Sequence, residues 1–330
     1  MRILGICAYY QNSGAALLIN GEIITAVKEK CFTNITDIGV PINSIYYCLR
    51  EAEIKFHDLD RIVFYDKPLI TSKFLQVMTQ PDKHNLEFKL KAELAALVNC
   101  DFSNLPPIDF VEDNQLQASS AFLMSPFHRA AVICFNNVGE WTTASVWLAR
   151  DGQLILQWKL DFPNSLKILS FAFTYYTGIQ LNSDEYRLKE LARHGTPKYA
   201  NMFLDKLVDS RENGTFQINS DYLYNLMQWN LTNKNYDQVF QASLQSESKI
   251  GQWEMDIAAS IQKVQEEIIR RLIYTVYQGL GEDNLCIAGD VAHYQTPENY
   301  FRDVWIQPQI DYYESAALAV WFQWNCVCLK

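Results

Sequence analysis

One pattern constrains this chain more than any other, and it occurs twice. Arg2–Ala8 reads as a strand, Tyr9–Ser13 as a polar loop, Gly14–Ile19 as a second strand, Asn20-Gly21 as a hairpin turn and Glu22–Lys28 as a third strand. Further on, Ala130–Phe135, the loop Asn136–Trp141, Thr142–Ala149, the turn Asp151-Gly152 and Gln153–Leu160 repeat the order. An Asx-Gly pair supplies the positive φ that a two-residue hairpin turn requires, so each pair marks a tight reversal between strands. Helical patterns follow each copy. A chance recurrence of a common hairpin would give the same string, but two matching units in one chain favour a duplicated α/β lobe.

Two such lobes facing one another make up the actin and sugar-kinase architecture, in which the polar loops at the strand ends cradle phosphates. The expected division is a first lobe over residues 1–112 and a second over residues 113–330, with a closing helix at Ser315–Trp324. Additional strands are predicted at Arg61–Tyr65, Asn284–Ala288 and Asp303–Ile306, and helices at Asn43–Glu53 and Asn85–Val98. Asp256–Gln278 is the longest amphipathic helix, with Ile257, Ile261, Val264, Ile268, Leu272 and Val276 at helical spacing. Residues 213–248 are polar and aromatic without a clear period and receive no assignment. No linker rich in Gly, Ser or Pro separates the halves, so the lobes are expected to pack closely.

A net charge of −10 without a dense Lys/Arg run argues against nucleic acid or an anionic membrane as the main partner. No apolar run reaches the roughly 18 residues of a membrane span, and the amino-terminal segment has no long apolar signal core. Cys7, Cys134 and Cys286 fall inside apolar strand patterns, as buried thiols do, which points to a reduced, cytoplasmic protein. Cys326 and Cys328 are read as free thiols in a frayed tail, since no neighbouring Cys or His pair completes a metal set.

Several stretches together resemble the O-carbamoyltransferase family of nodulation and aminoglycoside-modifying enzymes. They are the opening LGICAYYQNSGAALLINGEI, FYDKP at 64–68, ASSAFLMSPF at 118–127, VGEWTT at 138–143 and FPNSLKILSFAFTYYTG at 162–178. DEYRLKELARHGTPKY at 184–199, DIAASIQ at 256–262, NLCIAGDVA at 284–292 and VWIQP at 304–308 complete the set, in the family's order across nearly the whole chain. The resemblance implies an amino-terminal domain of duplicated actin/sugar-kinase type, related to the threonylcarbamoyl-transfer enzymes of tRNA modification. In the family that domain moves a carbamoyl group from carbamoyladenylate to an acceptor hydroxyl, with a bound metal. A separate carboxy-terminal domain makes the carbamoyladenylate from carbamoyl phosphate and ATP. That domain is expected to be absent here, so the chain is not expected to make its own activated donor.

The departures from the family pattern concentrate in the chemistry. Where the resemblance implies His and Asp after the first strand, this sequence has Gln11 and Asn12. Where it implies Glu-Glu-Arg-Phe, the chain reads Glu29-Lys30-Cys31-Phe32. The family's metal-binding His-His-x-x-His becomes Asp113-Asn114-Gln115-Leu116-Gln117. Asp113 and Gln117 keep the four-residue spacing that places two side chains on one helix face, but a carboxylate and an amide hold a transition metal poorly. The Asp-Gly before VGEW becomes Asn136-Asn137, the Gly-Gly after the strand at 284–288 becomes Gly289-Asp290, and the Gly-Asp-Ala-Gly after Gln-Pro becomes Asp311-Tyr312-Tyr313-Glu314. Replacing Asp by Asn keeps size and hydrogen bonding but removes the charge that offsets dehydration of a divalent ion. Bulky residues where glycines stood fill space needed for backbone contacts to phosphate. Drift alone would also have eroded VGEWTT and SFAFTYYTG, and it has not. No cofactor is therefore expected, and no metal.

Three functions stay open from sequence. The first is a non-catalytic or accessory homologue, a pseudoenzyme of specialised biosynthesis that binds a small-molecule ligand, a full-length carbamoyltransferase or another pathway protein, with a homodimer as a further candidate assembly. The second is a repurposed, metal-independent biosynthetic enzyme. His293 and Asp290 lie just past a strand end, where a carboxylate can orient a histidine as general base, with Glu314 as a third candidate catalytic residue. Solvated loop residues are the plain alternative for all three. The third is carbamoyl transfer with donor supplied in trans. The pocket in any of these is expected to draw on Gln11, Asn12, Asp113, Gln117, Asn136, Asn137, Glu140, Glu185, Tyr186, His194 and Tyr312, with Asp184, Asp256 and Asp311 nearby. Structural roles compete with functional ones for Glu140, Glu185, Tyr186 and Asp256, and a surface position competes for His194.

Overall fold

The computed structural model describes residues 1–9, 13–33, 39–65, 86–135, 142–150, 153–166, 170, 185–211, 215–219, 251–289 and 300–307. The sheet of the first half is built from β1 (Arg2–Cys7), β2 (Gly14–Ile19), β3 (Glu22–Lys28), β4 (Arg61–Tyr65) and β5 (Ile108–Val111) in the order β3-β2-β1-β4-β5. β1 runs antiparallel to β2 and parallel to β4. That central position buries β1 on both faces, which is why its sequence is a continuous apolar run instead of an alternation. The edge strand β3 is exposed at Glu22, Ile23 and Ile24.

The second half repeats this plan. β6 (Arg129–Phe135), β7 (Thr142–Arg150), β8 (Gln153–Asp161), β11 (Asn284–Gly289) and β12 (Asp303–Ile306) form a sheet in the order β12-β11-β6-β7-β8. The likeness extends to register. The fourth residue of β1, Gly5, pairs with Val63, which pairs with Asp109; the fourth of β6, Val132, pairs with Cys286, which pairs with Trp305. Both outer hairpins also carry register shifts, one between Leu17 and Leu18 in the first and two, at Thr142/Ala144 and Val146/Trp147, in the second. Duplicated actin/sugar-kinase-like α/β lobes are thus the fold of the chain.

The helices are α1 (Lys30–Thr33), α2 (Ile42–Glu51), α3 (Leu86–Val98), α4 (Asp113–Met124), α5 (Glu185–Ala192), α6 (Ala200–Lys206) and α7 (Gln252–Leu280). α7 begins four residues before its predicted start because a cap sets the boundary. The Gly251 N–H donates to the Glu254 carboxylate at 2.8 Å, and Gly281 ends the helix in a left-handed conformation at φ 61°. α4 touches both halves. Leu116 joins Ile3, Cys7, Val63 and Val111 in one apolar cluster, while Ala118, Ala121 and Phe122 join Val132, Cys134 and Cys286 in another. On the far side of the second sheet, α7 packs against α5 and α6, with Ile257, Ile261, Val264, Ile268, Leu272 and Val276 all buried.

Sequence reading missed β5, whose pattern is only Ile-Asp-Phe-Val; Asp109 is stabilised there by Arg61 across the strand pair at 2.7 Å. It also left α5, α6 and the small ribbon of β9 (Val208–Ser210) and β10 (Phe216–Ile218) unassigned. The predicted closing helix at Ser315–Trp324, the tail thiols Cys326 and Cys328, and most of the unassigned 213–248 stretch lie outside the described residues.

Candidate functional site

The site forms where parallel strands of the second sheet end. Phe135, the last residue of β6, pairs with Gly289, the last of β11. Gly289 sits at φ 90°, and a Cβ there would lie 1.9 Å from the Phe135 carbonyl oxygen, so only glycine fits. The same imagined Cβ would lie 3.1 Å from Gln117 Oε1. Gln117, predicted from sequence as a pocket residue, therefore carries its side-chain carbonyl from α4 to the strand ends, where Asn136 and Asp290 follow in sequence. Asp113 is the first residue of α4, with its side chain outside the described set. Gln11, Asn12, Asn136, Asn137, Glu140, Asp184, Asp290, His293, Asp311, Tyr312 and Glu314 lie outside the described residues, as do the side chains of Glu185 and Tyr186 at the start of α5.

Asn114 explains how α4 is fixed against the second sheet. It is buried; its Nδ2 donates to the Thr142 carbonyl at 2.9 Å, and its Oδ1 accepts from Ser145 Oγ at 2.9 Å. Ser145 Oγ in turn accepts from Trp147 Nε1 at 2.8 Å. A closed chain of buried hydrogen bonds holds orientation well, because any rotation leaves an enclosed polar group unmet. Asn114 thus locks the first turn of the helix that delivers Gln117.

Two stretches shared with the family meet in a loop-to-helix clamp. The Asp256 carboxylate, buried on α7, accepts from the Thr196 N–H at 2.8 Å, from Gln252 Nε2 at 2.9 Å and from Lys198 Nζ at 2.5 Å. Lys198 first, then the Thr196 amide and Gln252, hold the Asp256 carboxyl down at about 2. Ser260 Oγ accepts from the Tyr199 N–H at 3.1 Å, and Gln252 Nε2 also reaches the His194 carbonyl at 3.3 Å. Gly195 completes the fit: a Cβ there would lie 1.9 Å from the Met255 carbonyl oxygen. Asp256 therefore does structural work, and His194 enters the clamp through its backbone with its side chain exposed.

Glu29, the surviving acidic residue of its motif, also has a structural task. Buried beside α2, its carboxylate accepts from Asn43 N–H at 3.0 Å, Asn43 Nδ2 at 2.6 Å, Ser44 N–H at 2.8 Å and Ser44 Oγ at 2.7 Å. It satisfies the free amides of the first helical turn and places an anion at the positive end of the helix dipole. At the end of β1, Tyr9 adopts φ 70°, its hydroxyl donates to Glu93 at 3.1 Å and Lys89 lies 4.5 Å over its ring. Burial, reinforced by Glu93, pushes its phenol well above the ordinary range.

Chemically, the described portion of the site offers amide and hydroxyl groups at the strand ends: Gln117, Ser120 and Gln307. A transition ion needs imidazole, thiolate or carboxylate donors to compensate dehydration. The one family ligand position whose side chain reaches the strand ends in view, Gln117, presents a neutral amide oxygen. Among the described residues, no group of donors fits the family's metal there. Sequence reading passed over Asn114, Lys198, Gln252, Trp305 and Gln307; the last two stand in the VWIQP stretch, which was the available signal.

Two lobes with the same five-stranded sheet order define a protein of the actin/sugar-kinase fold class. Residues 2–320 match the family model described as the carbamoyltransferase N-terminus, so the chain belongs to the carbamoyltransferase amino-terminal domain family. It is 43% identical to protein sll1178 of Synechocystis sp., over 98% of this chain and 57% of that protein. It is 26% identical to the nodulation protein NolNO of Sinorhizobium fredii, over 91% of this chain and 44% of that one. The chain thus spans about half the length of these relatives. Among solved structures, component A of the Acidaminococcus fermentans (R)-2-hydroxyglutaryl-CoA dehydratase is similar at a TM-score of 0.44 and 14% identity, covering 100% of both chains. No helix among the described residues is long and apolar enough to cross a membrane.

Proposed function

We propose that this chain is a divergent carbamoyltransferase domain that has given up metal-dependent carbamoyl transfer and acts as an accessory protein, holding a small metabolite or a pathway protein at its inter-lobe cleft. One observation carries the reading: α4 delivers an amide, Gln117, to the junction of Phe135 and Gly289 where the family pattern places an imidazole. An amide there keeps the hydrogen-bonding capacity of the cleft and drops the affinity for a cation. The retained Glu29 and Asp256 support it from the other side, and so does Asn114, which stands where the family motif has a histidine, since each holds the framework together. Calorimetric titration with ATP and with carbamoyladenylate, followed by a transfer assay in the presence of iron or zinc, tests the reading. Absence of nucleotide-dependent transfer is expected. Turnover that requires the added metal would refute it.

A repurposed, metal-independent enzyme is the second reading, favoured by the Asp290–His293 pair that follows Gly289 in sequence. It is tested by replacing both with alanine: loss of pathway product would select it over an accessory role.

A further inference from the structure

Two buried polar atoms near β12, Trp305 Nε1 and Gln307 Oε1, have no hydrogen-bond partner among the described residues. Trp305 lies on β12 and Gln307 directly follows that strand, two residues on, with both side chains toward α4: Trp305 packs on the cluster of Ala118, Ala121 and Phe122, and Gln307 reaches Ser120. Gln307 cannot easily turn to satisfy itself. Its backbone N–H is committed to the Ile287 carbonyl at 2.9 Å, and its Nε2 donates to Ser120 Oγ. Ser120 in turn spends its hydroxyl proton on the Gln117 carbonyl at 2.9 Å. With one end of a planar amide fixed, the direction of the other is fixed too. Oε1 is an aimed acceptor, enclosed away from bulk water, beside the strand ends.

The fold does not demand a polar group at this point. The residue in the same register of the first lobe, two beyond Asp109, is Val111, and it is buried among Ile3, Cys7, Val63 and Leu116. An enclosed acceptor left unmet is costly, and such costs persist at functional sites, where a ligand removes them. The apolar cluster that Trp305 packs against, with Cys134, Cys286, Ala288 and Trp147, contributes no charge among the described residues, which disfavours an ionic guest by desolvation.

We propose that Gln307 is a ligand-reading residue of the second lobe: its Oε1 accepts a hydrogen bond from an N–H or O–H of a small neutral molecule enclosed where β6, β11 and β12 end. The inference rests on a ligand-binding cleft but not on the loss of metal chemistry, so either can fail alone. Crystals of the full chain would be soaked separately in acetamide, which carries an N–H donor, and in N,N-dimethylacetamide, which does not. Acetamide is expected within hydrogen-bond distance of Oε1, the dimethyl analogue is not, and Gln307→Met is expected to abolish the acetamide site. Because the acceptor is unmet in the free protein, Gln307→Met is also expected to raise the melting temperature, and Trp305→Phe likewise. Equal seating of both amides, no amide at Oε1 in the parent protein, or a lowered melting temperature in Gln307→Met would each overturn the proposal.

Discussion

The two lobes share a strand order and a register, yet they fill the side facing α4 in different ways. The first lobe closes it with Ile3, Cys7, Ala16, Leu18, Val63, Tyr65 and Val111, an apolar set against Leu116. The second lobe places Gln117, Ser120, Trp305 and Gln307 around its strand ends and relies on Gly289 to let the backbones approach. A framework that can be sealed with apolar residues in one copy has kept polar atoms in the other. Polarity in the second lobe is therefore a property of its site, beyond the needs of the fold.

The comparison breaks first at Gly289. Gly289→Ala drives a Cβ into the Phe135 carbonyl at an already left-handed φ, and we expect a loss of at least about 4 kcal/mol in urea unfolding. Gly281→Ala, also left-handed but with open space around it, should cost only about 1 kcal/mol. Importing the second lobe's polarity into the first comes next: Val111→Gln should destabilise by about 3 kcal/mol, since nothing in the apolar cluster offers a partner. A small effect there would show that both lobes tolerate an enclosed amide. The third test is Asp256→Asn, expected to cost about 2 kcal/mol by weakening the clamp.

That substitution also has a pH signature. Asp256 is held down at about 2 in the folded protein, against about 4 when unfolded. Its contribution is present above about pH 4 and is lost as pH falls from there toward 2, so Asp256→Asn should flatten that part of the acid-unfolding curve. Apart from Gly281→Ala, the smallest expected effect is in the first lobe, where Glu29→Gln should cost about 1–2 kcal/mol by removing the charge from the α2 cap and leaving a single carbonyl acceptor for the donors of Asn43 and Ser44.

Much of this organisation was legible in the residues. The Asx-Gly turns at 20–21 and 151–152 and the apolar runs beside them carried the duplication, because hairpin chemistry and burial are local signals. β5 was hidden, since four residues interrupted by Asp109 have no period to read, and the salt bridge that makes Asp109 acceptable comes from Arg61 in another strand. The site was legible only in part. Spacing placed Gln117 on the correct helix, but the clamp around Asp256 joins residues near 195 to α7 and could not be inferred from either segment alone. Likewise, the enclosed acceptor of Gln307 exists only because Ser120, from the far end of the chain's first half, fixes its other end.

The central claim is that the cleft inherited from a metal-dependent family no longer holds the metal. Elemental analysis of the protein, purified without chelators and then equilibrated with ferrous or zinc ion, tests this most directly. The account predicts substoichiometric metal in the parent chain and no change in content for Gln117→Ala. One iron or zinc ion per chain, lost on Gln117→Ala, would contradict it.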